Sequence, residues 1–238
     1  MTAGFIDLHS HVVPGVDDGA ATLDESLASL QCLYDLGFRT VCATPHQKAG
    51  TFETPLDEIE RRTGELKTAV SRALPALQIL RGAENSLDDL FHARMTPFAI
   101  PCYETGRAFL VELRAGVIPP HLEDLLYGLR TRGHLPVLAH PERYGDLLKD
   151  DERLARVARV AALVVDLSAL GETFGSGPAR QLVLSGYAHA VASDIHDAHE
   201  RSMLARGIAW MEKKLGSAGV DRLLRENPQR ILAGELPT

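Results

Sequence analysis

The chain has 238 residues, 45% hydrophobic and 24% charged, a composition that supports a large folded core without covalent staples. Its formal net charge of −7, with acids and bases interspersed, argues against general nucleic-acid binding, and no apolar run approaches the ~18 residues that a membrane span needs. Cys32, Cys42 and Cys102 are an odd set with no CxxC pair, which fits neither a disulfide framework nor a thiolate zinc site; the start, MTAGFIDLHS, is no signal peptide, so the reading is soluble and cytoplasmic.

In chain order, Gly4 to Leu8 reads as a strand, and Thr22 with Glu25 as the capping box of a helix that stops near Gly37. Phe38 to Thr44 is a β-branched strand, Pro55 to Leu74 a helix, and Leu77 to Leu80 a strand. Ala108 to Leu113 is a strand, Pro119 to Arg132 a helix closed by Gly133, and Leu135 to Ala139 a buried strand. Asp151 to Ala161 is helical, Ala162 to Leu167 a strand, Pro178 to Ser185 helical and Ala188 to Ala192 a strand. Helices over Glu200 to Leu215 and Val220 to Arg225, then a turn from Asn227-Pro228, finish the chain. Gln47 to Thr54 and Asn85 to Arg107 read as irregular loops. Strand-then-helix units with no linker or repeat predict one α/β domain over residues 1–238, built on a parallel sheet that is either a barrel or doubly wound.

Metal-capable side chains recur at the C-terminal ends of these strands. They are Asp7, His9 and His11; His46; Glu84; Glu112; His140 and Glu142; and Asp194 and His196. In a parallel barrel those ends converge on one face, where active sites lie. His9 and His11 share a side of an extended strand, and Asp194 and His196 repeat the spacing. An all-nitrogen-and-oxygen set suits manganese, iron, zinc or magnesium and disfavours a structural zinc. Each of these residues has a plainer explanation alone: a turn for Asp17-Asp18-Gly19, a surface acid for Glu84, a core ion pair for Glu112. Together they would leave several buried charges unpaired unless cations bind. His92, His121, His134, His189 and His199 fall outside the pattern and read as ordinary histidines.

The stretches IDLHSHVVPGVDDGA, ATPHQKAGTFETP, AHPER and VASDIH resemble the PHP (polymerase and histidinol phosphatase) superfamily, and within it the CpsB/YwqE-type tyrosine-protein phosphatases of capsule and exopolysaccharide synthesis. The resemblance implies a distorted (β/α)7, TIM-like barrel of the PHP type and a centre of three divalent metal ions, typically manganese. It implies His9, His11, Asp18 (rather than Asp17), His46, Glu84, Glu112, His140, Asp194 and His196 as ligands, with Glu112 as a bridge, and Arg143 and Arg201 as phosphate contacts. It also implies hydrolysis by a metal-activated hydroxide, acting on a phosphotyrosine protein such as the C-terminal tail of a bacterial tyrosine kinase. Neither nucleic acid nor membrane insertion is expected, and the oligomeric state is not legible. Three departures stand out: Asn85 replaces an apolar residue of relatives, the DLSALGETFG segment differs in its approach to glycine, and the loop after His46 carries only Lys48 where some relatives have several basic residues.

A thiol mechanism is excluded, because six residues after each cysteine stand Phe38, Lys48 and Ala108 rather than the arginine of a Cys-x5-Arg loop. Two other functions compete. One is a small-molecule phosphatase such as histidinol-phosphate phosphatase. The other is a non-catalytic regulatory module of the same fold, which the complete ligand set opposes.

Overall fold

The structure, a computed structural model, describes residues 4–114 and 117–238. In chain order the elements are β1 (Phe5–Asp7), α1 (Leu23–Asp35), β2 (Phe38–Ala43), β3 (His46–Gln47), α2 (Leu56–Ala73), β4 (Gln78–Arg81), β5 (Glu84–Ser86), α3 (Asp89–Met95), β6 (Ala108–Glu112), α4 (Leu122–Thr131) and β7 (Leu135–Ala139). There follow α5 (Gly145–Leu148), α6 (Asp151–Ala158), β8 (Ala162–Asp166), α7 (Leu167–Gly171), α8 (Gly177–Leu184), β9 (Ala190–Ala192), α9 (Arg201–Asp221) and α10 (Asn227–Leu232).

All the strand pairs are parallel, in the orders β1-β2-β4 and β3-β5-β6-β7-β8-β9. β2 runs through Pro45 into β3, and β4 through Gly82 and Ala83 into β5, so nine short strands make seven staves. The staves close: Ser10 bridges to Ile195 in parallel, the Asp194 N–H donates to the His9 carbonyl at 2.9 Å, and the His11 N–H donates to Ile195 at 2.9 Å. The fold is therefore a distorted (β/α)7 barrel. Where β4 and β6 do not meet, residues 103–104 fill the seam, with Tyr103 donating from its backbone to Ala108 and Glu104 to Arg81. The Tyr103 side chain crosses the barrel to donate its hydroxyl to the Leu8 carbonyl at 2.9 Å.

The period-two alternation of the strands sorts their residues between two cores. Ala108, Leu110, Leu135, Val137, Ala139, Ala162, Val164, Ala190 and Ala192 fill the barrel with Leu8, Cys42 and Tyr103, and Ile231 and Leu232 of α10 join them. Their neighbours Phe109, Val111, Leu138, Leu163, Val165 and Val191 face the helices. Continuing the inward parity by one step places Glu112, Asp166 and Asp194 at the mouth.

Helix ends follow from local chemistry. Thr22 and Glu25 form the expected capping box, and Gly37 adopts φ 103° just past α1. α2 buries Ile59, Thr63, Leu66 and Val70, one stripe at helical spacing. α9 is broken at Gly216 (φ 69°, ψ 177°), close to the expected division, and a π-helical turn over Arg222–Glu226 leads into α10.

The two expected loops are only partly loops. Residues 47–54 carry a small bridge in which the Lys48 and Phe52 backbones exchange hydrogen bonds of 2.8 and 2.9 Å around Gly50. Residues 85–107 carry β5 and α3. Asn85, the polar departure, ties this region together: its Nδ2 donates to Leu110 at 2.8 Å and Pro101 at 3.1 Å.

Candidate metal centre

The nine residues implied as ligands meet at the C-terminal mouth of the barrel. Glu84 stands at the middle, 1% exposed, with histidine nitrogens around it: His140 and His46 at 2.8 Å, His9 at 3.4 Å and His11 at 3.5 Å. Asp194 Oδ1 lies 3.3 Å from both His9 and His11 Nε2. Glu112 lies 3.9 Å from His46 and from His140, and accepts from the Ser86 hydroxyl. Asp18, half exposed, faces His46 Nε2 at 3.5 Å and His196 Nε2 at 3.6 Å.

Among the described residues the possible ligands form overlapping groups whose atoms lie within 4.8 Å of one another. These are His11, Asp18, His46 and His196; His9, His11 and Glu84; His46, Glu84 and Glu112; and His9, Asp166 and Asp194. Several of these atoms approach closely without bonding. His46 Nδ1 and Glu84 Oε2 are 2.8 Å apart, yet neither has a hydrogen-bond partner, and the buried Asp166 Oδ1 has none either. Each such atom costs about 1–3 kcal/mol. Lone pairs that converge on a shared space instead of on each other fit a bound cation, and the donors are those that oxygen- and nitrogen-loving divalent ions take.

Surrounding groups aim the ligands. Asp17 Oδ2 holds His11 Nδ1 at 2.8 Å and accepts the His46 backbone N–H at 3.0 Å, which turns His11 Nε2 into the pocket. Gly19 is required here, since a Cβ on it would stand 2.1 Å from the His11 carbonyl. The Tyr144 hydroxyl lies 3.1 Å from His140 Nδ1, and His196 Nδ1 bonds the Asp194 carbonyl at 2.8 Å. Phe52 stacks on His46, with ring centroids 5.1 Å apart. Asp7 clamps β1 to β9 by accepting from the Ser193 backbone at 2.8 Å and its hydroxyl at 2.5 Å.

His140 (φ 35°) and Asp194 (φ 53°) both sit in the left-handed region, as does Phe98 (φ 48°) outside the cluster, a strain of about 1–3 kcal/mol each. Electrostatics follow the crowding. Burial would push the Glu84 carboxyl up, but His9, His140 and His46 outweigh it and hold it well below the usual range. Burial likewise favours neutral His9 and His11, but Asp194 and Glu84 beside His9, and Asp17 and Asp194 beside His11, raise both imidazoles. Burial raises Asp7 to about 6.

The two arginines separate. Arg143 Nη2 reaches Asp166 at 2.5 Å and Asp194 at 2.6 Å, at the edge of the cluster. Arg201 is not brought there: it extends along α1 to Asp35, at 3.1 Å, because its place on the first turn of α9 faces that helix. Asp166 is the acid the sequence reading passed over, although it ends β8 as Glu112 ends β6. Asp7, Asp17 and Tyr144 gave no signal as supports, since orientation of a ligand depends on contacts across strands.

The cysteines are inert by environment. Burial raises Cys32 and Cys102 to about 11 and Cys42 well above its ordinary value. Of the five other histidines, His121 and His199 are exposed, while the half-buried His189 accepts the Leu163 N–H on its Nδ1 at 3.0 Å.

A family profile described as capsular polysaccharide synthesis, CpsB/CapC, matches residues 5–233. The tyrosine-protein phosphatase CpsB of Streptococcus agalactiae is 30% identical over 237 residues, 95% of this chain and 98% of that one. The tyrosine-protein phosphatase YwqE of Bacillus subtilis is 26% identical over 235 residues, 97% of this chain and 92% of the relative. A crystal structure from work on YwqE and the CpsB of Streptococcus pneumoniae, described as unique metal-dependent tyrosine phosphatases, superposes with a TM-score of 0.86 at 26% identity, covering 97% of this chain and 95% of that one. A phosphotriesterase homology protein from Escherichia coli shares the fold alone, at a TM-score of 0.53 and 15% identity over 98% of this chain and 99% of that one.

Proposed function

Because the chain belongs to the CpsB/CapC family of capsular polysaccharide synthesis, we infer that it is a metal-dependent tyrosine-protein phosphatase, a phosphoric monoester hydrolase. The observation that carries the chemistry is the buried cluster around Glu84, whose lone pairs converge on common points while the three thiols are held protonated. The finer assignment is three divalent ions, manganese in first place, held by His9, His11, Asp18, His46, Glu84, Glu112, His140, Asp194 and His196. The substrate assigned is the phosphotyrosine-bearing tail of a bacterial tyrosine kinase of capsule or exopolysaccharide synthesis, which places the enzyme in the cytoplasm.

Bound divalent cations supply Lewis acidity towards phosphoryl oxygens and bring the ionisation of water into the neutral range. The protein's own groups supply the rest. Glu84 and Glu112 hold the cluster's negative charge at its centre, Asp17 and Tyr144 fix the rings of His11 and His140, and Arg143 presents charge-assisted donors to the phosphate. Arg201 would have to leave Asp35 to join it.

The test is a panel of phosphotyrosine peptide, phosphoserine peptide and histidinol phosphate with metal-reconstituted protein. Hydrolysis is expected on the phosphotyrosine peptide, lost on chelation, restored best by manganese, and lost in His11→Ala and Glu112→Ala with the fold intact by circular dichroism. Activity confined to histidinol phosphate, or full activity in either variant, would overturn the reading.

A further inference from the structure

We propose that Asp166 is a positioning residue that anchors Arg143 at the edge of the metal cluster and turns its remaining N–H groups outward to receive the phosphate. The proposal rests on the phosphatase reading and names a residue that the ligand set leaves out.

A guanidinium has five N–H donors, and Nη2 carries two of them. Both are committed: Nη2 lies 2.5 Å from Asp166 Oδ2 and 2.6 Å from Asp194 Oδ2. Among the described residues Nη1 and Nε have no partner, and the side chain is 53% exposed while Asp166 is 1% exposed. One nitrogen is therefore pinned to the cluster, and three donors are left for another acceptor. The anchor is rigid. Asp166 ends β8, and its backbone N–H donates to Glu142 Oε1 at 3.1 Å. Arg143 itself ends the one-turn 3-10 helix Pro141–Arg143 that follows His140.

Asp194 explains why a second carboxylate is needed. Its Oδ1 faces His9 and His11 at 3.3 Å, and only Oδ2 is given to the arginine. Without Asp166, Nη2 would keep only Asp194 Oδ2, and the guanidinium would be free to swing and turn its remaining donors away from the opening. The rival role for Asp166 is direct ligation, since it also lies within 4.8 Å of His9 and Asp194 ligand atoms. Arg143 takes Oδ2, which assigns positioning, while the unpartnered Oδ1 is the atom a cation would take, so metal content separates the two roles.

The experiment is a double-mutant cycle on full-length, metal-reconstituted protein: wild type, Asp166→Asn, Arg143→Ala and both together. Metal content is read by elemental analysis, inorganic phosphate binding by calorimetry, and KM and kcat with a phosphotyrosine peptide. Asp166→Asn is expected to keep the full metal content, to raise KM and the phosphate dissociation constant by about tenfold, and to leave kcat within about threefold. In the Arg143→Ala background it should have no further effect. Loss of an ion, a fall in kcat at constant KM, or additive effects would each overturn the proposal. If Asp166→Asn does not fold, Asp166→Ser completes the same cycle under the same criteria. Wild-type protein that binds metal and phosphate but hydrolyses no phosphotyrosine peptide would sink the phosphatase reading instead, while phosphate binding would still decide the coupling.

Discussion

At the turn after β1, Asp17 has a side chain sealed from solvent against His11, whereas the next residue, Asp18, is half exposed and faces His46 and His196. Neighbouring carboxylates in one DDG turn thus have different work: one orients a ring, and the other offers a lone pair to the pocket. The sequence itself gave no means of telling them apart; the resemblance did, and burial supplies the physical reason. Asp17→Asn should keep the ring's place but remove the charge that makes His11 a strong donor, weakening metal affinity about 10–100-fold. Competition titration with a chromophoric chelator measures it, and an affinity equal to wild type would refute the orienting role. Eight of the nine candidate ligands were legible because they stand at or just after strand ends, whereas Asp18 came from the resemblance alone. Asp166 announced itself equally at the end of β8, but it lacked a matching motif.

Longer elements were readable in proportion to the apolar pattern they carry. α2, with its stripe of Ile59, Thr63, Leu66 and Val70, and the buried strand Leu135–Ala139 stand where expected. β3 and β5 did not declare themselves, because strands of 2 and 3 residues whose side chains are His, Gln, Glu, Asn and Ser carry site chemistry in place of hydrophobic alternation. Between β8 and β9 a single imidazole gives a testable handle. Burial lowers His189 to about 4 from an ordinary 6.5, and its Nδ1 must stay unprotonated to accept the Leu163 N–H. The unfolded chain then takes up a proton first as pH falls. Stability from this group is complete above pH 6.5 and is lost as pH drops from 6.5 to about 4, where the loss saturates. Relative to His189→Asn, which keeps an acceptor and has no titration, the wild type should lose roughly 3 kcal/mol between pH 7 and 4. Urea unfolding at a series of pH values measures the difference, and parallel pH profiles would refute the assignment.

On the scale of the whole barrel, first and last strands are joined at the same place where ligands crowd. Asp7, His9, Ser193 and Asp194 are at once closure and site, so cations bound there tie β1 to β9 and the mouth to the walls. Metal binding should therefore appear as global stability. At a free ion concentration of 100 times Kd the gain is about 2.7 kcal/mol, and in a chain of this length that shifts Tm by roughly 5–10 °C. In the metal-free protein Asp194, Glu84 and Asp17 raise the imidazoles of His9 and His11, which favours their protonated forms and offsets part of the carboxylate repulsion. Cations need those rings neutral, so uptake competes with their protons, and affinity should rise with pH. Calorimetry in buffers of different ionisation enthalpy should show net proton release on manganese binding. Glu84→Gln removes the carboxylate that four histidines share, and it should abolish both the proton release and the shift in Tm. A wild-type protein that melts at one temperature with and without metal, and binds none with proton release, would mean that the cluster is held by its own hydrogen bonds and ion pairs alone.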